Sequence, residues 1–338
     1  ETYNYADTYG MLGYIPSEEI SASWAHFNVI PQTEDSYDFF LDMMQTNNIM
    51  DQFADYKDFV QQAHDAGATI TANHPYYSYG LFYTQENSAV PGGYDNSFDT
   101  IEINATSSDG ENVSTINKAT ELWTAYLCDD TVYGEEVTKP HYLLASSDTH
   151  DVLYPGINNN KAGVYHTGKG RTFAFIGDTT DMSIEDVGLA TGQAIANGNS
   201  YATLGPILTT EEDVLFGDEI IVTKEEGWEF NTEIQIESVN GIDKVILLSS
   251  NGNGTYNYYD NTIYKVLDVT GYSGETSITY TIDQQLFYEN NWYAIMVIDS
   301  SEAGNYAISN PYWVTGENPY SDIDTHWGKE YILPFTFL

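Results

Sequence analysis

The chain of 338 residues holds a single cysteine, Cys128. An intramolecular disulfide and a four-cysteine zinc site are therefore both excluded. Cys128 closes the apolar stretch 122–128, a setting that favours a buried thiol over a nucleophile. Positive charge is scarce as well: 10 Lys and Arg face 51 Asp and Glu, for a formal net charge of -41. Duplex DNA, RNA and an anionic membrane surface are poor partners for such a chain, because each adds like charge. No apolar run approaches the ~18 residues needed to cross a bilayer, which argues against membrane insertion. Residues 1–20 begin at Glu1 without a basic start or an apolar core, so they do not read as a signal peptide. The D-x-[DN]-x-[DN]-G loop of a calcium site is missing too, which discounts calcium storage.

What is present is acid spread evenly. Residues 1–205 carry 29 acids and 6 bases, and residues 206–338 carry 22 and 4. Such a surface is solvated and self-repelling, suited to salty or extracellular surroundings. The richness in Tyr, Asn and Thr with few lysines resembles an exported bacterial protein, so an extracellular or cell-surface location is expected.

Two kinds of pattern divide the chain. Residues 56–66 place Tyr56, Phe59, Val60 and Ala63 at helical spacing, with Gly67 as a stop signal. The β-branched run 68–72 follows and ends in Asn73-His74-Pro75. A second unit repeats the plan, with a helix around 114–127 feeding a strand at 141–147 and then Asp148-Thr149-His150. Residues 98–104 form another strand-like run between them. Such alternation predicts a parallel sheet or a (β/α) barrel. From about residue 207, short β-rich runs at 244–250, 276–282, 291–298 and 307–314 alternate with Gly and Asn turns, the pattern of a β-sandwich. The expected organisation is an α/β domain over 1–208, a β-sandwich over 209–316 and a tail over 317–338.

Two predicted strands thus end in residues able to bind a metal, His74 on one and the Asp148/His150 pair on the other. In (β/α) barrels the carboxyl ends of the strands build the active site. Alternate residues of an extended chain face the same way, so Asp-x-His can aim both side chains at one point. Without thiolates, imidazole and carboxylate suit Zn, Mn or Fe. Each signal has a plainer reading: a surface histidine before proline, or Asp148 as a helix N-cap. A third cluster lies in 15–30, where Glu18 or Glu19 could bridge metals and His26 could face the same pocket; alone, these would read as solvated acids and a strand histidine.

Together these segments resemble the PHP (polymerase and histidinol phosphatase) metallohydrolases, closest to the CehA/McbA-like branch. The resemblance is carried by Ile-Pro-Ser-Glu-Glu-Ile at 15–20, Ala-His-Phe-Asn at 25–28, Ala-Asn-His-Pro at 72–75, Ile-Glu-Ile-Asn at 101–104 and Ser-Ser-Asp-Thr-His at 146–150. It continues through Gly170-Arg171-Thr172-Phe173, the helix 183–197 and 200–206, into strands containing Trp292 and 309–314. It implies a distorted seven-stranded (β/α) barrel followed by an all-β immunoglobulin-like sandwich, with two or three divalent ions (Zn, Mn or Fe) at the carboxyl-end face. Carried over, Glu19 is the bridging carboxylate, His74, Asp148 and His150 are metal ligands, His26 is a metal ligand or an immediate neighbour of one, Glu19 and His150 are catalytic, and Glu102 lies near the site without ligating. The implied activity is metal-dependent hydrolysis of a small anionic substrate, most simply a phosphoester, by a metal-activated water, with ester or carbamate hydrolysis as a variant.

The sequence departs from the family at its start. Neither the His-x-His of the first strand nor the Asp-His of the second occurs here, and His64, His141, His166 and His326 are single histidines in other contexts. Residues 1–14 resemble the helix that follows those motifs. The barrel is therefore expected to be incomplete, lacking its N-terminal strands unless an N-terminal segment or a second chain supplies them. The competing expectation is a non-catalytic extracellular protein with a degenerate metal site, whose 29 Tyr and 6 Trp serve glycan or protein binding. Arg171, the sole arginine, is either a phosphate clamp or a structural ion pair.

Overall fold

The computed structural model describes residues 18–36, 38, 55–77, 79–103, 112–146, 170–223, 227–258, 261–286, 290–301 and 305–316. In the first part, strands β1 (Glu18–Ser21) and β2 (His26–Pro31) precede helix α1 (Tyr56–Asp65) and strand β3 (Ala68–Ala72). Next come α2 (Leu81–Asn87), β4 (Thr100–Glu102), α3 (Asn112–Cys128), the small hairpin β5 (Thr131–Val132) and β6 (Glu135–Glu136), and β7 (Tyr142–Leu144). Helix α1 forms where the spacing predicts it. It buries Tyr56, Phe59, Val60 and Ala63, and the Asp55 carboxylate caps it by accepting from the amides of Lys57 and Asp58 at 3.1 and 3.3 Å.

These strands form one sheet in the order β1-β2-β3-β4-β7. Strands β3, β4 and β7 run parallel, as helix–strand alternation predicts, whereas β2 is antiparallel to both neighbours. Only residues 22–25 separate β1 from β2, and a connection that short permits a hairpin but not a crossover. Among the described residues the sheet is open and no barrel closes. The carboxyl ends of β1, β3, β4 and β7 and the start of β2 therefore share one edge.

The second part contains β8 (Arg171–Ala174), α4 (Ile184–Ala196), β9 (Ser200–Thr203), β10 (Ile207–Thr210), β11 (Glu219–Val222), β12 (Glu229–Ser249), β13 (Gly254–Tyr258), β14 (Asn261–Gln285), β15 (Asn290–Asp299), β16 (Tyr306–Ser309) and β17 (Tyr312–Gly316). A capping box joins Ser183 and Asp186 at the start of α4. The strands make one large sheet, mostly antiparallel, with the path β13-β14-β12-β15-β16-β9-β8. The first half of β12 alternates exposed and buried residues, but Val245, Ile246, Leu247 and Leu248 beyond Gly241 are apolar and buried in succession. Two cores explain the change. Val245 and Leu247 point into a core enclosed by the β-rich part, while Ile246 and Leu248 point the other way and join the core of the first sheet. Register shifts between 237 and 242, and Gly241 takes φ 78° where a Cβ would meet the Gly274 carbonyl oxygen at 2.4 Å. Only glycine fits that close approach.

The first core and the large sheet are continuous. Trp123 of α3 and Trp292 of β15 are both buried, with ring centroids 6.3 Å apart. Buried Asn310, between β16 and β17, accepts from the Leu143 amide at 2.7 Å and donates to the carbonyls of Leu143 and Ser200 at 3.2 and 3.0 Å. One amide side chain thereby substitutes for a strand partner of β7. No described helix is long and apolar enough to cross a membrane.

His141, just before β7, sits between the rings of Phe98 and Tyr126 at 4.5 and 4.3 Å and donates from Nε2 to the Asn96 carbonyl at 3.2 Å. Burial, reinforced by the Lys139 charge, pushes its pKa down to about 4. Unfolded histidine titrates near ~6.5, so between that pH and about 4 the unfolded chain binds a proton that the folded protein refuses. Stability must fall as pH drops through this window, by an amount on the order of 3 kcal/mol from this residue. In urea unfolding at pH 7 and pH 4.5, His141→Gln is expected to flatten the pH dependence by roughly 2 kcal/mol; equal slopes for the two proteins would contradict the assignment.

Candidate metal centre

The hairpin of β1 and β2 has one face of each kind. Ile20, Phe27 and Val29 are buried in the core, and the intervening Glu19, Ser21, His26 and Asn28 are partly exposed on the other face. Glu19 lies opposite Asn28 and Ser21 opposite His26, which sets all four polar residues side by side. Register with β3, Phe27 opposite Ala72, is prolonged by the Asn73 amide donating to the His26 carbonyl at 3.1 Å. His74 follows at once, at the carboxyl edge of the sheet.

Three side chains meet there. His26 Nδ1 lies 2.9 Å from Glu19 Oε1 and 3.1 Å from His74 Nε2, and His74 Nε2 lies 3.7 Å from Glu19 Oε2. Donor atoms at bond lengths of ~2.0–2.1 Å around a tetrahedral ion are roughly 3.3 Å apart, and the observed separations bracket that value. Glu19, His26 and His74 thus form a cluster that could hold a metal ion, with ligand atoms all within 4.8 Å of one another. The donor set fits zinc or another borderline first-row cation.

Charge and orientation suit the same end. Burial opposes ionisation of Glu19, but hydrogen bonds to His26 and His74, the positive potential of His26 and the Asn73 amide outweigh it and hold the carboxyl well below the usual range. Asn73 Nδ2 donates to Glu19 Oε2 at 3.1 Å and to Asn28 Oδ1 at 3.0 Å, and the Ser21 hydroxyl donates to Glu19 Oε1 at 3.1 Å. These contacts fix the carboxylate in a coordinating orientation.

His74 is held by its backbone. Its φ of 27° is in the left-handed region, costly for a non-glycine residue and characteristic of functional sites. The amide of His74 donates to Glu102 Oε2 at 2.6 Å, and Glu102 Oε1 accepts from the Ser146 hydroxyl. Glu102 is 2% exposed. It links the end of β3 to the end of β7 through the end of β4. The loop then turns sharply enough that a Cβ on Gly80 would meet the Pro75 carbonyl oxygen at 2.4 Å.

Of the five ligands implied by the resemblance, the structure brings together Glu19, His26 and His74, while Asp148 and His150 lie outside the described residues. Ser146 is the last described residue before them. Arg171 is exposed, its guanidinium 5.8 Å over the Phe173 ring, and it makes no ion pair among the described residues. Half-buried Cys128 has its thiol pKa pushed up by burial, which disfavours the thiolate. The sequence reading missed the roles of Ser21 and Asn73 and the aromatic flank of the site. There Tyr79 stacks on the His26 imidazole and Tyr77 meets His74 edge-on. Asn73 stood within the Ala-Asn-His-Pro segment, and the Tyr-rich run directly after it was the available signal for the flank.

No protein-family model matches the chain, and no curated protein matches it. Among solved structures, the crystal structure of a β-glucosidase from Listeria innocua in complex with glucose aligns at 8% identity over 65% of this chain, with a TM-score of 0.19. The alignment spans 37% of that protein's chain, and so loose a superposition carries no argument about fold or activity.

If Glu102 fixes His74 for coordination, its loss should weaken the site without touching a ligand. In chelator competition, Glu102→Ala is expected to bind zinc about 10- to 100-fold more weakly, the usual effect of removing a ligand-orienting partner. Glu102→Gln, which keeps an acceptor for the His74 amide, should stay within severalfold of the parent. Equal affinity in the Ala variant and the parent would refute the positioning role.

Proposed function

We propose that the chain belongs to a metal-dependent hydrolase of the PHP type, most simply a phosphoesterase, in which the open sheet is part of a (β/α) barrel and the β-rich part an immunoglobulin-like sandwich. The observation that carries this reading is the convergence of an ionised glutamate and two imidazoles at the carboxyl edge of parallel strands. In such folds that edge is where catalytic groups gather. A divalent ion held by these groups would lower the pKa of a water from ~15.7 towards ~7 and offset nearby negative charge.

In this reading Glu19, His26 and His74 bind, and Asp148 and His150, two and four residues beyond Ser146, complete the ligand set. Ser21 and Asn73 hold the Glu19 carboxylate in place, and Glu102 holds His74. Glu19 and His150 are the groups that meet the attacking water. Hydrolysis joins the water oxygen to phosphorus, breaks the ester P–O bond and leaves a proton on the departing alcohol. An N-terminal segment or a second chain would supply the His-x-His and Asp-His motifs. The excess of acid supports an extracellular or cell-surface setting.

The test pairs metal analysis with turnover of p-nitrophenyl phosphate after reconstitution with Zn, Mn or Fe. At least one tightly held equivalent of metal is expected, with activity abolished by chelation and restored by metal. Glu19→Gln and His74→Ala should each lower kcat/KM by about 100-fold or more, with loss of bound metal. A metal-free protein that binds polysaccharide would overturn the hydrolase in favour of a surface binding module.

A further inference from the structure

The loop that follows His74 carries an aromatic surface that core packing does not explain. Tyr56, Phe82 and Phe98 of the first part are fully buried, yet Tyr77 and Tyr79 are 45% and 48% exposed. Each nevertheless lies against one of the two imidazoles. The Tyr79 ring is parallel to that of His26, 5° between planes and 5.3 Å between centroids, and the Tyr77 ring meets His74 at 74° and 5.9 Å. The backbone holds them there: the His26 amide donates to the Tyr79 carbonyl at 2.9 Å, the Tyr77 amide to the His74 carbonyl at 2.8 Å, and the Gly80 amide to the Tyr77 carbonyl at 2.7 Å. Tyr79 thus stacks along the imidazole and still keeps nearly half of its surface exposed at the margin of the cluster.

The charges nearby narrow what can settle on that surface. Of the described cations, Lys118 alone lies against this loop, over the Tyr76 ring at 5.2 Å, whereas Lys57 pairs with Asp95, Lys139 with Asp99 and Lys244 with Asp243, Lys265 donates to the Ser250 carbonyl and Arg171 lies over Phe173. Among the described residues no Lys or Arg contacts Glu19, His26, His74, Tyr77 or Tyr79. In a chain of net charge -41, a second anionic group on the substrate would meet negative surroundings and, among the described residues, no Lys or Arg in contact with Tyr77 or Tyr79. A ring face needs none, since stacking on a tyrosine held in position costs little ordering entropy.

We propose that Tyr79, flanked by Tyr77, is the specificity-determining surface of this site, and that the substrate is a phosphomonoester whose leaving group is an uncharged ring. The inference rests on the hydrolase reading. Aryl and sugar rings share the chemistry that the tyrosine face recognises.

The experiment uses the zinc-loaded protein with phenyl phosphate, glucose 1-phosphate and ethyl phosphate. The parent should favour at least one ring ester over ethyl phosphate by about tenfold in kcat/KM, the better of the two identifying the ring as aryl or sugar. Tyr79→Ala should collapse that ratio about 5- to 10-fold, mainly through KM, and Tyr79→Phe should keep it. A ratio that Tyr79→Ala leaves unchanged, or an equal loss on all three esters, would overturn the proposal, the second result showing that the ring merely supports His26. Turnover of none of the esters would sink the hydrolase reading alone. The ring surface is then read by saturation-transfer NMR with the same ring esters: transfer in the parent that Tyr79→Ala abolishes supports it, and absent or unaltered transfer refutes it.

Discussion

The site depends on the pairing of β2 with β3. Phe27 opposite Ala72, continued by the Asn73 amide on the His26 carbonyl, decides that His26 and His74 lie on the same side of the sheet within 3.1 Å of each other. A slip of one residue would turn His26 into the core and bring Phe27 out. The apolar partners of the alternation guard against that slip. Phe27 is 1% exposed and packs on the rings of Tyr56, Phe59 and Trp24, so the aromatic core under α1 and the polar face above it specify the same register.

The large sheet acts on the site at a distance by holding the strand beyond it. Asn310 takes both the amide and the carbonyl of Leu143, and Trp292 packs beside Trp123 across the same junction. With β7 fixed, Ser146 reaches the Glu102 carboxylate, whose other oxygen holds the backbone of His74. A buried amide between two β-strands is thereby connected, through Leu143, Ser146 and Glu102, to the orientation of the His74 imidazole. Truncating a buried side chain that satisfies several backbone groups leaves them unpaired, so the junction is costly to break.

Much of this was legible from periodicity. The amphipathic spacing at 56–66 and the β-branched run after it place α1 and β3 where they occur, and the strand ends name His74 as a site residue. The antiparallel course of β2 was not legible, because nothing in residues 15–30 marks the four-residue turn as strongly as an Asn-Gly or Gly-Gly pair would. The expected strand over 307–314 is two strands separated by Asn310-Pro311, where proline cannot donate to a ladder. The expected run at 276–282 is a fraction of the 25-residue β14, whose middle carries Gly271 and Gly274, residues that locally read as turn signals. Asn310 itself gives no local sign of its role, since its partner Leu143 is 167 residues away. Only the resemblance implied Glu19 and His26 as ligands, since their own segment, taken alone, reads as solvated acids and a strand histidine.

Glu19, His26 and His74 are proposed to hold one cation between β1, β2 and β3. The most direct measurement is zinc-edge anomalous diffraction from crystals grown with zinc. A peak is predicted within ~2.0–2.2 Å of a Glu19 oxygen, His26 Nδ1 and His74 Nε2. A map without anomalous density between these atoms, or with His26 and His74 turned apart in the metal-loaded protein, would contradict it.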